Sequence, residues 1–179
     1  AANVAHRSEV EALADEAVRE TGGIDIWVNV AGVIVSRPIF EVEEDDVERL
    51  LAVNLKGAYW GCAAAGRVMR TAGAGSIINM SSGGGESAVP GLSIYSRTKA
   101  GLNMLTRSVA KEFGPLGIRA NAIAPGWVDT PMGLHSFRDE TGTVSQARHD
   151  EAVRSRAQAS PLGIAGTPRD IALAVLYLA

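Results

Sequence analysis

Cysteine is almost missing from this 179-residue chain, Cys62 being the only one. A disulfide framework within the chain is therefore excluded, as is a cysteine-built zinc site. A single thiol fits a reducing compartment. Histidine is scarce as well, and His6, His135 and His149 lie too far apart for a metal-ligand spacing. No metal site is expected. Positive charge is not in excess: 17 Lys and Arg face 20 Asp and Glu, a net charge of −3. A nucleic-acid binder needs a basic face, so no such partner is expected. No apolar run approaches the ~18 residues of a membrane span. No signal-like leader opens the chain. The expectation is a cytoplasmic protein with no membrane partner.

What is present is ordinary for a globular chain: 46% hydrophobic and 21% charged residues, with ample apolar surface to bury. The length suits one domain over 1–179. Both ends read as cut. The chain opens on Ala1 and closes on Ala179 within an unfinished helix, Asp170–Ala179, that has no stop signal.

Helix and strand patterns alternate, which predicts an α/β domain with a parallel sheet. Ser8–Glu20 has Val10, Leu13, Ala14 and Val18 on one side of a helix, and Gly22-Gly23 ends it. Ile24–Val30 is a near-continuous apolar run, the signature of a strand covered on both faces. A long helix follows over Asp45–Thr71, entered through the acidic run Glu41–Asp46, a solvated entrance that suits the helix dipole. Ser76–Ser81 is the next strand and Ser93–Phe113 the third main helix. Gly114-Pro115 stops it, Gly accepting the left-handed cap. Ile118–Ile123 is another strand. Residues 127–160 are polar and irregular, with a short helix near 147–157. Trp27, Trp60 and Met104 are assigned to the core.

Gly83, Gly85 and Ala88 match G-x-G-x-x-A, a variant of the dinucleotide fingerprint. That fingerprint must open a helix whose N-terminus holds a phosphate. Here Val89-Pro90-Gly91, turn chemistry, follows at once. The segment reads as a flexible site loop. Tyr95 and Lys99 carry more weight. They stand four apart at the start of a helix, so both side chains face one way. Ser82 ends a strand thirteen residues earlier. Ligands of α/β sheets bind at the carboxyl ends of strands. Ser82, Asn29 with Gly32, and Pro125-Gly126 all fall at such ends. Ser81 competes for the role of Ser82, but the spacing to Tyr95 favours Ser82.

These segments resemble the short-chain dehydrogenase/reductase family, in its single-domain type. VNVAG (28–32) resembles the family's N-N-A-G strand end. VNLKGAYW (53–60) resembles the helix segment bearing its Asn, here Asn54. INMSS (78–82) with YSRTK (95–99) resembles its Ser and Y-x-x-x-K. IRANAIAPGWVDTPM (118–132) resembles its P-G-x-x-x-T segment, and PRDIALAVLYLA (168–179) its late helix. Val30 departs from the second Asn of N-N-A-G. Asn3-Val4 stands where the family often has Asp-Val. The family's T-G-x-x-x-G-x-G turn, its first two strands and its last strand have no counterpart. At ~30 residues per βα repeat, roughly 60 residues are missing at the front. The resemblance thus implies a three-layer, Rossmann-type, doubly wound parallel sheet, incomplete at both ends.

It also implies an activity: hydride transfer between NAD or NADP and a small-molecule ketone or secondary alcohol. A 3-oxoacyl-thioester reductase or a small-polyol dehydrogenase is the nearest type. A free phenol is a poor base at neutral pH, and a nearby ammonium favours its ionised form. Tyr95 would act as general acid and base, Ser82 would hydrogen-bond the substrate oxygen, and Lys99 would assist Tyr95 and hold the nicotinamide ribose. Asn54 would position a water. Pro125, Gly126, Val128 and Thr130 would border the nicotinamide, and Asn3 and Val4 the adenine. Asn29, Ala31 and Gly32 would pass near the adenosine ribose, Asn29 also bracing neighbouring strands. Family members form homodimers or homotetramers through helices matching Asp45–Thr71 and Ser93–Phe113, and the small residues of Gly61–Gly66 would allow close helix contact. Two alternatives stay open: a truncated, non-catalytic piece unable to bind the cofactor alone, and an epimerase or dehydratase of the extended type, which also uses Y-x-x-x-K. The choice between NAD and NADP lies in segments this sequence does not contain.

Overall fold

The computed structural model describes residues 1–134 and 145–179. His135 lies outside them. Residues 1–124 with 178–179 form one compact unit, and 125–177 a second.

The first unit is built on three parallel strands in the order β1 (Ile26–Asn29), β2 (Gly75–Met80), β3 (Ile118–Ile123). Asn29 pairs with Asn79, and Met80 with Ile123, so the strands end along one edge. Crossover helices join them, as parallel pairing requires. α1 (Arg7–Thr21) precedes β1, and its end is capped by Gly22 in the left-handed conformation. β1 is shorter than the apolar run predicts. Among the described residues it is the sheet's edge, and Ile26 and Val30 are exposed where the run predicts burial on both faces.

The long helix expected over Asp45–Thr71 is three pieces. α2 (Glu44–Leu50) and α3 (Gly57–Ala72) flank a π-helical turn, Leu51–Lys56. Such turns cluster at functional sites, and this one carries Asn54. Arg37 pairs with Glu43 and Asp46, so part of the acidic run is held by a local cation.

α4 spans Ser93–Phe113. Gly114 does not cap it in the left-handed form: its φ is −53°, and the chain runs on into a 3-10 turn, Gly114–Leu116. Pro115, lacking an N–H, tightens that turn. The left-handed residue is Gly117, φ 77°, where a Cβ would overlap the Gly73 carbonyl.

One core lies between the sheet and α1, α3 and α4. It gathers Val10 and Ala14, Cys62, Ala65 and Met69, Ile77, Val109 and Ile118. Trp27 and Trp60 pack against it, but Met104 is 57% exposed, which corrects its core assignment. The small residues of Gly61–Gly66 do permit close contact, inside the chain. A Cβ on Gly61 would overlap Asn29 Oδ1, and one on Gly66 would overlap the Phe113 ring. On the far face of β2, Ser76 donates to the Leu178 carbonyl at 2.8 Å.

The second unit holds α5 (Pro131–Leu134), α6 (Gln146–Ala159) and α7 (Pro168–Leu178, whose last residue belongs to the first unit). α6 covers and extends the short helix expected near 147–157.

Gly61→Ala should destabilise the chain by about 2–3 kcal/mol, since the new methyl must displace a hydrogen-bonded amide. Gly23→Ala, with open space around the site, should stay within about 0.5 kcal/mol of the parent. Urea unfolding of the two variants checks the contrast.

Candidate active site

Three chain segments leave the sheet at the aligned strand ends: Val30–Val33 after β1, Ser81-Ser82 after β2, and Ala124 after β3. The edge is held by a polar network on the α3/α4 face. Asn29 Nδ2 donates to Asn79 Oδ1 at 2.8 Å, and Trp27 Nε1 donates to Asn29 Oδ1 at 2.8 Å. Asn79 Nδ2 donates to Thr106 Oγ1 at 2.9 Å, and Thr106 donates on to the Leu102 carbonyl. Asn29 is thus turned inward as a brace between strands.

Ser82 begins the loop. Its Oγ accepts the Gly84 N–H at 3.1 Å. The acceptor side of the hydroxyl is used there, and its proton stays available to a substrate oxygen. Gly83–Gly85 forms a 3-10 turn and opens no α-helix. The loop turns again at Val89–Leu92 before α4 starts. A Cβ on Gly84 would stand 3.5 Å from Ser82 Oγ and 3.7 Å from Tyr95 Cε1, so the serine and the tyrosine both lie close to this residue. Gly85 lies on the α4 backbone. A Cβ there would come within 2.7 Å of the Lys99 carbonyl carbon. Only glycine allows that approach.

Tyr95 and Lys99 share one side of α4, with Lys99 Nζ 5.7 Å from the Tyr95 ring centroid. Lys99 is 4% exposed, and its Nζ donates to the Met80 carbonyl at 2.7 Å. Burial pulls its pKa down from 10.5 to about 8. Gly32 lies beside it: a Cβ on Gly32 would be 3.6 Å from Lys99 Nζ and 3.5 Å from Asn54 Oδ1. Ser81, the competing serine, is buried and donates to the Lys99 carbonyl at 3.2 Å.

Asn54, 1% exposed, spends its side chain inside the chain. Oδ1 accepts from Val33 N at 2.8 Å, and Nδ2 donates to Val33 O at 2.8 Å and to Thr98 Oγ1 at 3.2 Å. Its side-chain amide is thus fully engaged within the chain.

Tyr95, Lys99, Ser82, Gly32 and Asn54 are therefore brought together. Asn3 and Val4 serve α1 and α3: Asn3 Oδ1 accepts from Ala5 N, and Val4 covers Gly57. Ala31 is exposed at the end of β1. Pro125, Gly126, Val128 and Thr130 belong to the second unit, where Val128 bridges to Gly166. Next to them, His149 Nε2 and Asp129 Oδ1 lie 2.9 Å apart, and that hydrogen bond raises the pKa of His149. Sequence reasoning missed Val33, Thr98 and the role of Gly85. For Thr98 a signal was available: a hydroxyl inside the Y-x-x-x-K turn.

A family model described as enoyl-(acyl carrier protein) reductase matches residues 1–179. A short-chain dehydrogenase/reductase of Armillaria gallica is 38% identical, over 99% of this chain and 67% of that protein. The 3β-hydroxysteroid dehydrogenase 1 of Eggerthella lenta is 37% identical, over 99% of this chain and 65% of its own length. The chain thus spans about two thirds of the length of these relatives. Among solved structures, the ligand-free aldohexose dehydrogenase of Thermoplasma acidophilum superposes with a TM-score of 0.91 at 29% identity, covering 99% of this chain and 69% of that one. A gluconate 5-dehydrogenase of Burkholderia cenocepacia, in complex with NADP and tartrate, gives a TM-score of 0.85 at 32% identity, covering 98% and 65%.

The depressed Lys99 pKa has a consequence for stability. The stabilising contribution of the neutral amine is complete above pH 10.5 and is lost as pH falls through about 8. Cys62, raised to about 11 by burial, works with the opposite sign, its contribution being lost as pH rises from 9 through 11. Comparison with Lys99→Met isolates the lysine. The stability of the parent relative to that variant should rise by about 3 kcal/mol between pH 8 and 10.5, as read by urea unfolding. A flat difference would contradict the burial.

Proposed function

Because the chain belongs to the short-chain dehydrogenase/reductase family, we propose that it forms the greater part of an NAD- or NADP-dependent oxidoreductase of ketones and secondary alcohols, with Tyr95 as general acid and base. The observation that carries this reading is the convergence of Ser82, Tyr95 and a buried Lys99 at the carboxyl ends of parallel strands. The site fits the nicotinamide-ribose half of such a cofactor. Lys99 keeps donors beyond the one given to Met80, and the residue beside its Nζ is Gly32, which brings no side chain to the site. The nicotinamide, when bound, supplies or takes up the hydride.

The chain's own residues manage the proton. Tyr95 gives a proton to the carbonyl oxygen during reduction and takes it from the hydroxyl during oxidation. Ser82, with its acceptor side held by Gly84, donates to the same oxygen as negative charge grows there. Lys99, whose Nζ lies 5.7 Å from the Tyr95 ring centroid, donates to the ribose hydroxyls in this reading. The reductases and dehydrogenases among the relatives, including a 3-oxoacyl-[acyl-carrier-protein] reductase of Chlamydia pneumoniae, support a carbonyl substrate.

A second reading rests on the coverage of about two thirds: the chain by itself binds no cofactor. Titration of the chain with NADH and NADPH, followed by nicotinamide fluorescence, separates the two. Micromolar binding is expected under the first reading, and no change under the second. With an active chain, Tyr95→Phe should reduce turnover to below a few per cent while leaving cofactor affinity within about twofold. Lys99→Ala should weaken both. Substantial turnover by Tyr95→Phe would remove Tyr95 from the chemistry.

A further inference from the structure

We propose that Thr98 is a positioning residue for the Tyr95–Lys99 pair: its hydroxyl fixes the orientation of the Asn54 amide and thereby holds the Gly32–Val33 segment against the Lys99 ammonium. For its effect on turnover the inference rests on the function proposed above. Its geometric content does not.

The argument is one of donor and acceptor counts. Thr98 is fully buried in the middle of the Tyr95–Lys99 turn. Its hydroxyl has a single proton, which goes to the Tyr95 carbonyl at 2.7 Å. Towards Asn54 it can therefore only accept. An amide can turn end for end about its last torsion and keep almost the same shape. In a buried site, the hydrogen bonds decide which way it faces. Because Thr98 only accepts, Asn54 must present Nδ2 to it, at 3.2 Å. The other Nδ2 proton then reaches Val33 O, and Oδ1 receives Val33 N–H, both at 2.8 Å. Turned the other way, Asn54 would place donors against Val33 N–H and an acceptor against a hydroxyl with no proton left to give.

Two chain segments meet at this hydroxyl, α4 through Tyr95 and the π-helical turn through Asn54, and Asn54 carries the link on to Val33 in the segment after β1. Gly32, the residue before Val33, stands beside Lys99 Nζ. The seal over the ammonium is therefore set from Thr98, two hydrogen bonds away. If the amide loses its orientation, Val33 loses one or both bonds, Gly32 moves off, and water reaches Nζ. The depressed pKa of Lys99, about 8, fits a seal that is closed.

The test compares the parent chain with Thr98→Ser, which keeps the hydroxyl, and Thr98→Val, which keeps the volume without it. Two NMR signals report directly: proton exchange at the Asn54 side-chain amide, and the titration midpoint of Lys99 followed at its ε-carbon. In Thr98→Val the exchange should quicken about tenfold or more, and the midpoint should rise by about one unit or more towards that of an ordinary lysine. Thr98→Ser should match the parent in both. Where the chain turns over, Thr98→Val should lower kcat about tenfold with the KM for the ketone little changed, and Thr98→Ser should restore it. If circular dichroism shows Thr98→Val unfolded, Thr98→Ala becomes the variant without the hydroxyl. A midpoint and an exchange rate that stay at parental values in that variant overturn the inference, as does a Thr98→Ser that shifts as far. A parent chain with no turnover counts against the proposed function alone, and the two NMR signals still decide the role of Thr98.

Discussion

The amide pair Asn29–Asn79 is the constraint on which the site depends. A parallel sheet has no hairpins to set its register, and a slip by one residue turns every side chain to the wrong face. Here two asparagines in register on adjacent strands bond to each other at 2.8 Å inside a core otherwise rich in alanine, valine and isoleucine. A slipped register would part the two amides and leave the fully buried Asn79 carbonyl oxygen without Asn29, at about 1–3 kcal/mol. The pairing therefore aligns the strand ends, and everything that leaves those ends inherits the alignment: Gly32 after β1 and Ser82 after β2.

From that edge outward, close approach takes over. Gly85 lies on the backbone of α4 at Lys99, and α3 crosses Asn29 through Gly61. Each contact exists because a side chain is missing. The result is a lysine almost fully out of water whose ammonium is held by one strand-end carbonyl. The free-energy cost of burying that charge appears as its lowered pKa. It is sustained only because register, glycine contacts and the α4 turn are fixed together.

Much of this is legible in the sequence wherever the determining interaction is local. α4 and β3 fall on their expected residues, and the Tyr95–Lys99 pairing follows from helical spacing alone. The misses have non-local causes. Met104 reads as a core residue, although its position on α4 faces away from the core. Gly114-Pro115 reads as a stop, but the left-handed conformation passes to Gly117, where the turn meets Gly73. The π-helical turn leaves no mark on hydrophobic periodicity, and the partners of Asn54 lie 21 and 44 residues away.

That π-helical turn also sets the rotational phase of α3. A π turn amounts to one residue added to an α-helix, and each residue of an α-helix advances the chain by about 100°. The faces of α2 and α3 are therefore offset by one residue's rotation relative to a continuous helix. Removing a single residue from 51–56 would let the segment close into regular α-helix. It would swing Gly61 and Gly66 away from Asn29 and Phe113 and bring neighbouring side chains into their places. The chain should thus tolerate many substitutions between α2 and α3 but no change in their number of residues. This strict length, unlike any particular side chain, ties Asn54 at one end of the helix to the packing at the other.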